Sequence, residues 1–246
     1  YVLNRSLEGR GGGRGMRVAI CDSGDEYYGS FGDFGDGTGQ FKWPSAICVA
    51  PDGRVVVSDE HFHKIIIYSK DGDFINEWGN LGSEKGLLDT PSGLAVNGWD
   101  ELFISDTYNH RIQVFTLNGK FKRSFGHGPL PEENLKLPWR LSIGPDSNVY
   151  VADWANDRIC KFSQSGQFLS AFGSSGKNEG EFHRPADVVS DEKGYIYVCD
   201  WGNERVQVLD MVGNFVQMTY GASSLSPWAR NFLEVNVEEG AARAAA

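Results

Sequence analysis

The chain predicts an all-β fold, a β-propeller of four-stranded antiparallel blades, and three observations carry that reading. The first is a period. Asp59, Asp106, Asp153 and Asp200 stand 47 residues apart, and Arg17, Lys64, Arg111, Arg158 and Arg205 keep the same step. The second is that unrelated markers share the period: Pro44, Pro91, Pro138 and Pro185, and a closing aromatic-glycine pair at Phe31-Gly32, Trp78-Gly79, Phe125-Gly126 and Phe172-Gly173, with Tyr220-Gly221 one residue late. The third is texture: short apolar or alternating segments are separated by Gly, Asn and Asp turns, as in antiparallel hairpins. A period in the forties filled with strands is the mark of a propeller, in which each thin sheet buries its faces against its neighbours.

The unit 80–126 justifies the elements in order. Gly82 to Gly86 is a connecting loop. Pro91-Ser92-Gly93-Leu94-Ala95-Val96 is a first strand, uncharged as a strand covered on both faces should be. Asn97-Gly98 opens a tight turn, because both residues tolerate the positive φ that hairpins need. Glu101 to Asp106 is the second strand and Arg111 to Phe115 the third, with Ile112 and Val114 alternating against Arg111 and Gln113. Phe121 to Gly126 is the fourth, whose Lys122 and Arg123 suit an outer edge that must resist stray pairing.

The same plan divides the chain into a partial blade 1–32, blades 33–79, 80–126, 127–173 and 174–221, and a tail 222–246. In the partial blade, residues 1–4 match a second strand, so the inner strand is missing, and the hairpin that follows is lengthened by Gly9 to Gly15. That glycine-rich tongue lacks the trailing Gly-Lys-Ser/Thr and helix of a phosphate loop. Either the chain is an N-terminally truncated piece of a longer ring, the expectation preferred, or Phe232 to Val237 supplies the strand. Ser226-Pro227-Trp228 reads as the start of a short helical tail.

Composition narrows the function classes. The net charge is −10, which argues against a nucleic-acid or anionic-membrane surface. No apolar run approaches a membrane span, and compartment is not legible. Cys21, Cys48, Cys160 and Cys199 lie in strands without CxxC spacing and are expected to be small buried apolar residues.

Gly180-Glu181-Phe182-His183-Arg184-Pro185, followed by Val198-Cys199-Asp200-Trp201-Gly202-Asn203-Glu204-Arg205-Val206, resembles the NHL repeat. The resemblance covers about residues 1–221, with Phe62 departing where other units have Asn109, Asn156 and Asn203. More closely the chain is similar to bacterial stand-alone NHL-repeat proteins. That likeness implies a six-bladed parent without an assigned activity.

The repeated pairs Asp59/Lys64, Asp106/Arg111, Asp153/Arg158 and Asp200/Arg205 read as structural, each locking its hairpin, because function is rarely copied into every unit. The connectors and the second hairpins emerge on one face. That face gathers Tyr108, His110, Trp154, Asn156, Trp201 and Asn203 with Trp43, Trp139 and Arg140, a composition suited to binding a protein or peptide. Two enzymatic readings stand beside it. Amidating-lyase rings hold zinc on histidines after the first-strand proline, where this chain has Ser45, Ser92, Trp139 and Ala186. Lactonase-like rings use axial carboxylate and Asn ligands, for which Asp187 and Asn97 are the near candidates. No catalytic residue, metal ligand or cofactor is assigned. The expectation is a non-catalytic binding scaffold, the alternative is a hydrolase or lyase in the axial channel, and the incomplete blade invites self-association.

Overall fold

The computed structural model describes residues 1–5, 15–24 and 26–220. It is a β-propeller with five antiparallel sheets, each a meander. The first sheet has three strands, β1 (Val2–Arg5), β2 (Met16–Cys21) and β3 (Tyr27–Phe31). Four four-stranded blades follow: β4 (Pro44–Val49) to β5 (Val55–Asp59), β6 (Lys64–Tyr68) and β7 (Phe74–Trp78); β8 (Pro91–Val96) to β9 (Glu101–Asp106), β10 (Arg111–Thr116) and β11 (Phe121–Phe125); β12 (Pro138–Ile143) to β13 (Val149–Asp153), β14 (Arg158–Phe162) and β15 (Phe168–Phe172); β16 (Pro185–Ser190) to β17 (Ile196–Asp200), β18 (Arg205–Leu209) and β19 (Phe215–Tyr220). The helix expected in the tail, and the candidate strand Phe232 to Val237, lie outside the described residues.

Four apolar clusters fill the seams between successive sheets, and the inner strands β4, β8, β12 and β16 stand side by side around the axis. Among the described residues no cluster fills a seam between the sheet of β16–β19 and that of β1–β3.

The closing aromatic-glycine pairs are explained by these seams. Each aromatic packs against a turn glycine of the following blade: Phe31 on Gly72, Trp78 on Gly119, Phe125 on Gly166 and Phe172 on Gly213. The paired glycine in turn receives an apolar residue of the next connector, as Gly32 receives Phe41, Gly126 Leu135 and Gly173 Phe182. At the end of the row the register places Thr219, not Tyr220, opposite Val206, where Phe172 stands opposite Ile159. The last aromatic is thus out of register with the others, and Tyr220 is exposed.

The cysteines divide. Cys160 is buried and Cys21 and Cys48 partly so, but Cys199 is exposed, which corrects the expectation of four buried residues. Cys199 faces outward from the last sheet, on the side that no described seam covers.

Candidate functional site

The site is built at the end of the ring where the first strands begin. Each connector crosses from one blade to the next and is pinned there by a repeat aspartate. Asp106 accepts the Asp89 N–H at 2.6 Å, Asp153 that of Lys136 at 2.7 Å and Asp200 that of His183 at 2.7 Å. The same carboxylates accept from Arg111, Arg158 and Arg205 Nε at 2.7, 2.8 and 2.7 Å. Those guanidiniums then donate to connector carbonyls such as Leu87, Asn134 and Glu181. A buried pair satisfied on every side fixes geometry more than it adds net stability. Burial raises the Asp106 pKa, against the hydrogen bonds from the Asp89 backbone and Arg111 that lower it.

The unit 33–79 departs from this scheme. Asp59 accepts the N–H groups of Lys42, Trp43, His61 and Phe62, while Lys64 pairs instead with Glu77 at 2.8 Å. The expected Asp59/Lys64 pair is therefore replaced. In this unit Phe62 stands in the asparagine position, with Lys42 and Lys64 near its ring at 5.1 and 5.0 Å, and a lysine replaces the arginine of the later units.

Several face residues named from sequence are consumed by this framework. Asn156 donates to Asp153 and Asn134 O, and Asn203 to Asp200 and Gly176 O. His110 Nδ1 accepts the Leu137 N–H at 3.1 Å, just as His63 accepts that of Thr90 and Asp157 that of Arg184. Asn97 is buried in its turn, accepting from Trp99 and Glu101 and donating to Gln164 of the next blade.

What remains available on this face is aromatic. Trp43, Tyr108 and Trp201 are 54%, 59% and 58% exposed. Between them Trp139 packs on Trp154 with ring centroids 6.1 Å apart, and the Arg184 guanidinium lies 4.9 Å from the Trp154 ring. Trp154 is thus shared between its own blade and the next connector, while the equivalent Trp201 has no such cover among the described residues.

A set of charges, mostly missed by sequence reasoning, occupies the hub. In β12 the register passes from Pro138 to Leu141, leaving Trp139 and Arg140 out of the ladder with β13. Irregularities of this kind re-aim side chains. Arg140 reaches across the ring and donates from Nη2 to Ser45 O at 2.7 Å. Glu60 pairs with Arg5 at 3.3 Å, and its Oε1 is buried without a hydrogen-bond partner. Burial raises the Glu60 pKa against the attraction of Arg5 and Arg140. Asp187 is reached by solvent but hemmed in by the surrounding sheets, so burial raises its pKa against the attraction of Arg140. The signal in the sequence was the repeat itself: Arg140 and Asp187 stand where the other units have Ala46 and Gly93, and Glu60 where they have Thr107, Trp154 and Trp201.

The family profile described as NHL repeat matches residues 88–115 and 182–209. These segments are NHL repeats. Each spans the buried connector residue, the first strand and the Asp-x-x-Asn-x-Arg hairpin, so the NHL signature coincides with the pinning network above. No curated protein matches the chain in sequence. Among solved structures, virginiamycin B lyase from Staphylococcus aureus aligns over 85% of this chain at 16% identity with a TM-score of 0.61. A streptogramin B lyase aligns over 85% at 16% identity with a TM-score of 0.62. A protein of unknown function from Bacteroides caccae aligns over 74% of this chain and 69% of its own length, at 13% identity with a TM-score of 0.58. At such identities the likeness speaks to the fold alone. This chain spans 64% and 63% of the two lyases' lengths. Among the described residues, no group of three or more His, Cys, Asp or Glu side chains is placed to hold a metal ion, and no helix is long and apolar enough to cross a membrane.

Proposed function

We propose that this propeller is a non-catalytic binding scaffold whose aromatic face takes a protein or peptide. The observation that carries the reading is the division of labour on that face. The repeated polar groups are spent holding connectors, whereas Trp43, Tyr108 and Trp201 stay exposed around the Trp139–Trp154–Arg184 stack. Rigid aromatics and arginines on a fixed frame lose little conformational freedom on binding and dominate interface energetics. The test is selection of a displayed random peptide library on the purified chain, followed by calorimetry with the enriched peptides. Trp43→Ala and Trp154→Ala should weaken binding at least tenfold, while Trp99→Ala, in the turn between β8 and β9 at the far end of the blade, should not. Equal binding by all three variants would refute the reading.

A second reading rests on the hub. Two acids made reluctant to ionise, with a guanidinium near both at the hub, have the chemistry of a general acid and base. A hydrolase or lyase acting there would lose turnover in Glu60→Gln and Asp187→Asn. A panel of lactones and esters on which wild type and both variants are equally inert would remove this alternative. Self-association is the remaining proposal: the outward face of the last sheet presents Cys199, Trp201 and Tyr220, and sedimentation across a concentration series would reveal it.

A further inference from the structure

Three equivalent positions meet at each seam, at the end opposite the hub mouth. At the seam between blades 33–79 and 80–126 they are Val56, Ile67 and Val96, and at the next seam they are Phe103, Val114 and Ile143. All six belong to the apolar packing, and Val56, Ile67, Phe103 and Val114 are fully buried. At the seam between blades 127–173 and 174–221 the same positions hold Tyr150, Lys161 and Ser190. The fold does not ask for this change. An ammonium withdrawn from water and a buried hydroxyl without a partner both disfavour the folded state, and the two other seams show that apolar residues suit the positions. Departures from a working local rule mark places retained for another purpose.

The three residues frame a cleft. Tyr150 and Lys161 are direct cross-strand neighbours, with the Lys161 ammonium 5.1 Å from the Tyr150 ring centroid. Asp146 compensates the amine at 2.8 Å and accepts from the Tyr150 hydroxyl at 2.9 Å. Ser190 Oγ is buried without a hydrogen-bond partner. It lies against Gly144, where a Cβ would come within 2.5 Å of the hydroxyl, so only glycine leaves it room. A cavity of about 350 Å³ opens over these groups, with Met211 and Val212 forming an apolar lip.

We propose that this cleft binds a small neutral polyhydroxylated ligand, of the sugar or polyol class. The ammonium of Lys161 has donors beyond the one given to Asp146, the Ser190 hydroxyl can both donate and accept, and Asp146 Oδ1 accepts only the Asn148 N–H. Charge in and around the cavity is near balance, Lys161 and Lys193 against Asp146, Asp191 and Glu192, which favours neither a strong anion nor a strong cation. A ring with hydroxyls on its edge and C–H groups on its face matches such polar groups beside an apolar lip. The site is independent of the aromatic face.

The test is calorimetric titration of the intact chain with D-glucose, D-galactose, D-mannose and myo-inositol, with inorganic phosphate as the charged control. Lys161→Val and Ser190→Val bring in the aliphatic character of the other seams, and Ser190→Ala, which removes only the hydroxyl, keeps the test open should either valine variant fold poorly. Saturable binding of at least one sugar or polyol, weakened at least tenfold in the variants while the melting temperature of the Ser190 variants stays level or rises, is the expected result. No saturable binding to any of the four, equal binding by wild type and variants, or binding of phosphate in their place would overturn it.

Discussion

Replacing Gly166 with alanine tests the claim that aromatic-on-glycine contacts hold the blades together. Gly166 has φ +94° and a Cβ there would meet the Phe125 side chain at 2.8 Å. The backbone alone costs about 1–3 kcal/mol, because an L side chain is strained in that region. The methyl must also displace a ring that packs on Phe162 with centroids 5.0 Å apart, and overpacking of this kind adds about 1–3 kcal/mol. Gly53→Ala separates the two effects: its φ is +89°, yet its nearest contact would be Lys70 Cβ at 3.6 Å. Both variants should destabilise, and Gly166→Ala should do so by the additional overpacking. At about 2–4 °C per kcal/mol for a chain of this size, that is a further loss of about 2–12 °C. Thermal unfolding followed by near-ultraviolet circular dichroism measures it. In a Phe125→Ala background the gap between the two alanine variants should narrow, since the ring contacts are gone and only the contact with the residue-125 Cβ at 2.8 Å remains. Equal melting temperatures for Gly166→Ala and Gly53→Ala in the wild-type background would refute the lock.

Asp106→Ala should cost about 3–5 kcal/mol in urea unfolding, because it strands the Arg111 charge in a buried site and removes the acceptor for Asp89 N–H; a loss under 1 kcal/mol would show that the pinning network is dispensable. The pH response follows from two carboxylates. Hydrogen bonds from Arg123, working against burial and joined by Lys122, hold Glu101 at about 2; burial would raise Asp146, but hydrogen bonds from Lys161 and Asn148 bring it to about 2. Folded values below the unfolded ones give stability that is complete above the ordinary carboxylate range and is lost as pH falls toward 2. Glu101→Gln should flatten that acid limb, and an unchanged limb would contradict it. Glu60, Asp106 and Asp187, raised by burial, act in the opposite sense: their contribution is largest below their unfolded values and declines as pH rises through the folded ones. Alkylation mapped by mass spectrometry should modify exposed Cys199 before Cys48, whose thiol burial pushes up to about 12, or buried Cys160. Cys48 reacting first would mean that its seam opens.

The sequence alone determined the repeating architecture, since every blade must present the same apolar faces and turn residues to its neighbours and therefore spells them at a constant step. It also located the aspartate and arginine pairs, and it singled out Phe62, in the one complete unit where the cation pairs elsewhere, Lys64 with Glu77. Tertiary structure decided which polar residues on the face are free. Asn156, Asn203 and His110 read as surface groups from the chain, but only the docking of connectors from neighbouring units supplies the partners that occupy them. It alone brought Glu60, Arg140 and Asp187 to one hub and Tyr150, Lys161 and Ser190 to one cleft: the repeat marks these positions as exceptions, but only the packing of blades shows which exceptions meet. A repeat records what every unit needs in common; the chemistry at a seam or an axis depends on which unlike residues the assembled blades set face to face.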